Sequence, residues 1–464
     1  MLLDFLRLDR TASTPLYLQL YQILREAVEQ GHIFAGERLP SVRRLAQDLE
    51  ISRTTVEAAY QQLCVEGYLD SRPQSGYYVQ EARRRKIQPA PEQKKECPKP
   101  FSAFRFNFGT DVVDAGAFQI RLWQRYLKEY LHNQDVIASY GEHQGEPELR
   151  EALAEYTHSV RGVIASESRI VVGAGTQPLL YLLAGWFRQL GAQIAMEQPG
   201  FPQAIQVLQD CGLKVCLLPG DQDGISLEAL EHSGARILYL SPSNRQQTGT
   251  PIPMTRRLAL LEWARSHSGR ILEDDYNGEL RYTTRPIPAM QGLDSDGTII
   301  YLGSFSKLLL PSVRIGYMVL PPDLAEEYRQ KAWGYNQTAS KIEQLALARF
   351  IREGHLERQL RKLRKLYATK GALLLDCLHQ EFGSCLSAVL QETALRVVVT
   401  PKNGWNADQL VQEAAKMGVR VMPFGDKTNQ VALGFAGIPA EDIPSGVSLL
   451  GRCWKPCLIP IKGL

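Results

Sequence analysis

The chain has 464 residues, of which 44% are hydrophobic and 22% charged, with a formal net charge of +3. That length calls for more than one domain, the composition is that of a soluble globular protein, and any basic patch has to be local. No apolar run reaches the roughly 18 residues of a membrane span, and Asp4, Arg7, Asp9 and Arg10 exclude a signal peptide at the N-terminus.

The eight cysteines are scattered, without the spacing of a zinc knuckle or a redox Cys-x-x-Cys. They read as reduced, mostly buried thiols of a cytoplasmic protein.

Residues 1–80 read as one unit. Thr14-Pro15 starts a helix whose Leu16, Leu20, Ile23, Leu24, Ala27 and Val28 form an apolar stripe, stopped at Gly31. Pro40-Ser41 starts a short second helix, and Ser52 caps a third with Val56, Ala59, Tyr60 and Leu63 inward. Two helices joined by so short a turn form a helix-turn-helix. The alternation from Tyr68 to Val79 around Pro73-Gln74-Ser75-Gly76 adds a hairpin, the wing. Arg43, Ser52, Arg53, Thr54, Arg72 and Gly76 fall where such a unit meets base edges and phosphates of double-stranded DNA. The segments Leu-Pro-Ser-Val-Arg-Arg-Leu-Ala (39–46) and Ser-Arg-Thr-Thr-Val (52–56) resemble the winged helix of GntR-type bacterial regulators.

Residues 81–106 hold Arg83-Arg84-Arg85-Lys86 and a Gln-Pro-Ala-Pro stretch with few core-forming side chains, so a solvated linker is expected. From 107 to 464, short apolar runs at 170–172, 193–196, 214–218, 236–240, 270–272, 298–302 and 315–319 alternate with helical patterns such as 178–190, 201–210 and 256–266. The expectation is a mostly parallel α/β sheet, then a small α+β lobe from about 341 with strands at 395–400, 419–422 and 430–434.

Polar groups follow the strand ends, where open α/β sheets place their sites. Tyr301-Leu302-Gly303-Ser304-Phe305-Ser306-Lys307, with Arg314 beyond, sets a lysine at the end of a buried strand. Desolvation lowers a lysine's pKa and makes it the nucleophile that an imine to an aldehyde requires. Serines and an arginine beside it are phosphate donors. Gly173-Ala174-Gly175-Thr176-Gln177 opens a helix whose N-terminus favours an anion. Glu273-Asp274-Asp275-Tyr276 offers a carboxylate for a pyridine nitrogen and a phenol for a ring hydroxyl. No histidine stands near those carboxylates in sequence, so no metal is assigned.

In order, Gly-x-Gly-Thr-Gln, Glu-x-Pro-Gly-Phe, Ser-Pro-Ser…Thr-Gly, Glu-Asp-Asp-Tyr and Ser-Phe-Ser-Lys…Arg resemble a fold-type I aminotransferase. The whole chain resembles the MocR/GabR subfamily of GntR regulators, a winged helix joined to an aminotransferase-like domain that binds pyridoxal 5′-phosphate. The resemblance implies that Lys307 bonds the cofactor aldehyde, Asp274 pairs with the ring nitrogen and Tyr276 with the ring oxygen. It implies that Phe201 stacks on the ring and that Gly175, Thr176, Gln177, Ser304 and Arg314 hold the phosphate. It further implies that Tyr140 reaches the phosphate of the other subunit in a head-to-tail homodimer. Gln246 contacts the ring, with Asn244 as alternative.

The departures lie on the substrate side. Ala432 stands where aminotransferases carry the arginine for the α-carboxylate, and Gln203 where a relative has another. Losing one charge-assisted contact costs roughly 1.5–3 kcal/mol, about 10- to 150-fold in affinity. The expected function is a transcription regulator that senses an amine or amino acid effector, the latter held by another arginine such as Arg420, or pyridoxal phosphate itself. Transaminase turnover with ordinary α-amino acids is expected to be poor. An active aminotransferase with an accessory DNA-binding domain is the alternative.

Overall fold

The computed structural model describes residues 6–458 apart from 82–103, 192, 246, 403–404 and 426–428. The chain divides into two compact units, Met1–Pro98 and Lys99–Leu464.

The first unit contains α1 (Leu16–Glu29), α2 (Val42–Asp48), α3 (Arg53–Val65), β1 (Leu69–Arg72) and β2 (Gly76–Val79). Ser41 and Ser52 cap α2 and α3: their hydroxyls accept from the backbone N–H groups of Arg44 at 3.3 Å and Thr55 at 3.1 Å. The first helix starts one residue later than expected, with Pro15 rather than Thr14 at the N-cap. The inward stripes meet in one core of Leu20, Leu24, Leu45, Val56, Ala59, Tyr60, Leu63, Leu69 and Val79. The two strands pair antiparallel with Arg72 opposite Gly76, which closes the wing with a three-residue turn.

The second unit is built on seven strands: β3 (Ile170–Gly173), β4 (Ile194–Glu197), β5 (Val215–Leu218), β6 (Ile237–Leu240), β7 (Arg270–Asp275), β8 (Ile299–Ser304) and β9 (Gly316–Val319). Their order is β3-β9-β8-β7-β6-β4-β5, and only β9 runs antiparallel to its neighbours. The strands are continuous apolar runs because both faces are covered. Val171, Leu272, Ile300 and Met318 pack on the helix Thr176–Gln189. Tyr301, Tyr317 and Val319 join a second core with Leu149, Leu153 and Tyr156 of the helix Pro147–Arg161.

The small lobe places the 28-residue helix His355–Phe382 before a four-stranded antiparallel sheet. Its strands are β10 (Leu386–Gln391), β11 (Arg396–Pro401), β12 (Met422–Pro423) and β13 (Val431–Gly434), in the order β10-β11-β13-β12. Strand β10 has no counterpart in the sequence reading. Phe106, taken as the last linker residue, is buried in a short strand paired parallel with Val419–Arg420. Among the described residues, Cys64, Cys211, Cys216, Cys377, Cys385 and Cys453 are free and half-buried rather than fully buried. No helix among the described residues is long and apolar enough to cross a membrane.

Candidate functional site

Strand register assembles the site. Asp274 lies opposite Leu302 and Asp275 opposite Gly303, so the carboxylates and the turn that carries Lys307 leave the sheet side by side. β9 returns with Gly316 opposite both Ser304 and Gly173, which brings Arg314 against the loop before the helix Thr176–Gln189. A Cβ on Gly316 would lie 3.0 Å from the Gly175 backbone, and one on Gly175 would lie 2.9 Å from the Arg314 guanidinium. Close approach of these segments therefore requires glycine at both positions.

A cavity of about 710 Å³ opens over these strand ends. Thr176, Gln177, Phe201, Asp274, Tyr276, Ser304, Lys307 and Arg314 all line it, as do Gln203 and Ala432. Gly175 stands behind Arg314 rather than in the wall. Tyr140 is 97% exposed and lies outside the cavity of its own chain. Gln246 lies outside the described residues.

Burial sets the electrostatics. It lowers the Lys307 amine to about 8, opposed by the Asp111 carboxylate and assisted by the nearby Arg396 charge. Lys307 Nζ donates to the Thr110 carbonyl at 2.6 Å. Burial raises the Asp274 carboxyl to about 6 against the hydrogen bond donated by the Tyr239 hydroxyl. It pushes the Tyr276 phenol up to about 12.

Sequence reasoning passed over Thr110, Asp111, Tyr239 and Arg396. Arg396 was visible as one charge opening the otherwise apolar run Arg-Val-Val-Val. Arg420, the alternative anchor read from sequence, is not among the residues that line the cavity. Its guanidinium holds Asp111 at 2.8 and 3.0 Å.

In the winged unit, Arg43, Ser52, Arg53, Thr54 and Arg72 are exposed. Ser52 Oγ also bonds the Thr54 and Thr55 hydroxyls at 2.7 Å each. Arg72 pairs with Asp70 at 3.1 Å and lies 4.4 Å over the Tyr78 ring. Gly76, at φ +112, packs its Cα side against Arg38, where a Cβ would come 3.3 Å from Nε.

A winged helix followed by an aminotransferase-type α/β domain defines a class of bacterial DNA-binding regulators, and the comparisons agree. Residues 16–79 match the gntR family of bacterial regulatory proteins, and residues 107–448 match aminotransferase class I and II. The HTH-type transcriptional regulator YdeL of Bacillus subtilis (strain 168) is 36% identical over 463 residues, covering 97% of this chain and 98% of that protein. The probable rhizopine catabolism regulatory protein MocR of Rhizobium meliloti is 34% identical over 470 residues, covering 96% of this chain and 94% of that one. LysN, an alpha-aminoadipate aminotransferase from Thermus thermophilus complexed with N-(5'-phosphopyridoxyl)-L-leucine, aligns with a TM-score of 0.68 at 25% identity. That alignment covers 77% of this chain and 93% of LysN. The chain belongs to the MocR/GabR subfamily of GntR regulators. It is a DNA-binding transcription regulator with an aminotransferase-like domain, and the relatives favour that reading over an active aminotransferase with an accessory DNA-binding domain.

Proposed function

We propose that the cavity binds pyridoxal 5′-phosphate and that its occupation, or an amine effector reaching it, sets the protein's affinity for an operator. The observation that carries this reading is the convergence of Lys307, Asp274 and Arg314 on one cavity at the sheet's strand ends. The residues fit the group. Tyr276, in the cavity wall, donates its hydroxyl to the Asn244 carbonyl at 3.4 Å; Asn244 itself is buried outside that lining, with both amide atoms lacking a hydrogen-bond partner among the described residues. Arg314, Thr176, Gln177 and Ser304 offer donors for a phosphate, and the helix Thr176–Gln189 adds its N-terminus.

When bound, the cofactor supplies an electrophilic carbon that captures amines covalently. Lys307 presents a partly neutral amine at that point. Asp274 holds a proton on the ring nitrogen, Tyr276 orients the ring oxygen, with Gln246 or alternatively Asn244 as a further ring contact, and Phe201 offers an aromatic face. Tyr140 is exposed in its own chain, as expected for a residue that serves a partner's phosphate in a head-to-tail homodimer. Arg43, Ser52, Arg53 and Thr54 with the wing at Arg72 and Gly76 are the proposed DNA contacts in a cytoplasmic protein. Occupation acts by population shift between two arrangements of unequal DNA affinity.

The test is operator binding by purified protein with and without cofactor, for the wild type and Lys307→Ala. A cofactor-dependent change in affinity that Lys307→Ala removes is expected. An identical response in the variant contradicts the proposal.

A further inference from the structure

We propose that a basic cleft between residues 281–286 and the helix His355–Phe382 is a second anion site, which takes a small phosphate monoester and ties the small lobe to the segment that follows β7. The cleft shares no lining residue with the strand-end cavity, and its assignment does not rest on the cofactor reading.

Beyond Asp275 the chain turns through Gly278–Leu280 and then runs along the long helix of the small lobe. Two contacts fix that course. Arg364 Nε donates to the Glu279 carbonyl at 2.7 Å, and a Cβ on Gly371 would come 2.9 Å from the Tyr282 hydroxyl. Between them a cleft of about 340 Å³ stays open. Arg364, Lys365 and Ala368 line it from the helix, where spacings of three and four residues share one face. Arg281, Tyr282, Thr284 and Arg285 line it from the other side.

The charges in the cleft do not balance. Arg281 Nη1 pairs with Glu392 Oε1 at 3.0 Å. Arg364 has no carboxylate partner among the described residues, and the side chains of Arg285 and Lys365 make neither a hydrogen bond nor an ion pair there. Like charges lining one concavity repel each other, and its walls focus their field on whatever enters. The frame that carries them is fixed: Arg364 is bonded to the Glu279 backbone, and Glu392 Oε2 accepts from the Thr283 N–H at 3.1 Å. A dianion therefore offsets the repulsion better than retreat of either wall.

Phosphate oxygens match guanidinium forks, and the Thr284 hydroxyl adds a donor, whereas one carboxylate leaves part of the charge unmatched. The volume lies at the low end of the roughly 300–1,000 Å³ of small-molecule pockets. A compact ligand suits such a notch; a duplex backbone needs contacts spread along a face. The turn that begins at Glu392 also carries Ala394, which lines the strand-end cavity, so an anion bound beside Arg281 acts close to that cavity's small-lobe wall.

The experiment titrates full-length protein, loaded with cofactor and freed of excess by gel filtration, with phenyl phosphate and with benzoate in a calorimeter. Wild type, Arg314→Gln and the double variant Arg285→Gln/Lys365→Gln are compared, with thermal melts to report folding. Phenyl phosphate should bind wild type and Arg314→Gln alike, and at least about 10-fold more weakly to the double variant. Benzoate should bind more weakly than phenyl phosphate. Amide exchange should slow in 281–286 and in the facing turns of the helix when phenyl phosphate binds. Absence of binding, equal binding by the folded double variant, or loss confined to Arg314→Gln overturns the proposal. So does a double variant that weakens only the binding of random-sequence duplex DNA, which assigns these cations to a nucleic-acid backbone. A wild type that never loads cofactor contradicts the cofactor reading alone, because Arg314→Gln still separates the two sites.

Discussion

Arg161 grips Asp275 at both ends: Nε donates to Oδ2 at 2.6 Å and Nη2 to Oδ1 at 3.0 Å, with neither side chain exposed. Successive side chains of a strand point to opposite faces, so clamping Asp275 toward the helix Pro147–Arg161 leaves Asp274 facing the cavity. Arg161→Leu strands Asp275 beside Glu279 in the core. We predict a loss of about 3–5 kcal/mol in urea unfolding. A loss under about 1 kcal/mol means the pair is not what secures this region.

The lowered pKa of Lys307 predicts how apo-protein captures the cofactor. With a value of about 8, the amine is neutral above that pH. At pH 7.5 about a quarter of the molecules are reactive, against about 0.1% for an ordinary lysine. The capture rate should reach half its plateau near pH 8 in stopped-flow absorbance. A midpoint near 10.5 would show that burial does not tune this amine.

On the proposed cofactor reading, Asp274 trades stability for cofactor binding. Its folded value of about 6 lies above the unfolded value, so the ionised form costs the apo fold stability. That cost grows as pH rises from the unfolded pKa through about 6, and it is fully present at pH 7.5. Asp274→Asn should therefore raise apo stability by about 1–3 kcal/mol at pH 7.5. It should also weaken cofactor binding by losing the ring-nitrogen partner. Thermal melts of apo and cofactor-saturated protein check both, and an apo variant less stable than wild type contradicts the burial argument.

On the DNA side, the two arginines should separate. Arg53, first in α3, is the proposed reader of base edges, and Arg72 sits in the wing. With an operator selected from random duplexes, Arg53→Ala should cost about 1–3 kcal/mol and relax sequence preference. Arg72→Ala should weaken all sequences evenly and reduce the salt slope by about 1. An unchanged preference with Arg53→Ala would reassign α3.

Chain order, strand identity and the cavity's Lys307, Asp274, Tyr276 and Arg314 were legible because each follows a short apolar run ended by small or polar residues. Strand ends were less legible. β7 and β8 extend to Asp275 and Ser304, since pairing with neighbours holds polar residues extended that local pattern assigns to turns. β10 was missed because its outward residues are exposed and its pattern weak. Arg396 was missed for a different reason. Position 432 follows from the chain, whereas the cavity is shared between strands, and only the Val398–Ala432 register shows that Arg396 on the neighbouring strand faces it.

Borohydride reduction of cofactor-loaded protein, followed by peptide mapping, tests the central claim most directly. The account predicts a pyridoxyl-phosphate adduct on the peptide containing Lys307, absent from Lys307→Ala. An unmodified Lys307, or an adduct confined to other lysines, would contradict it.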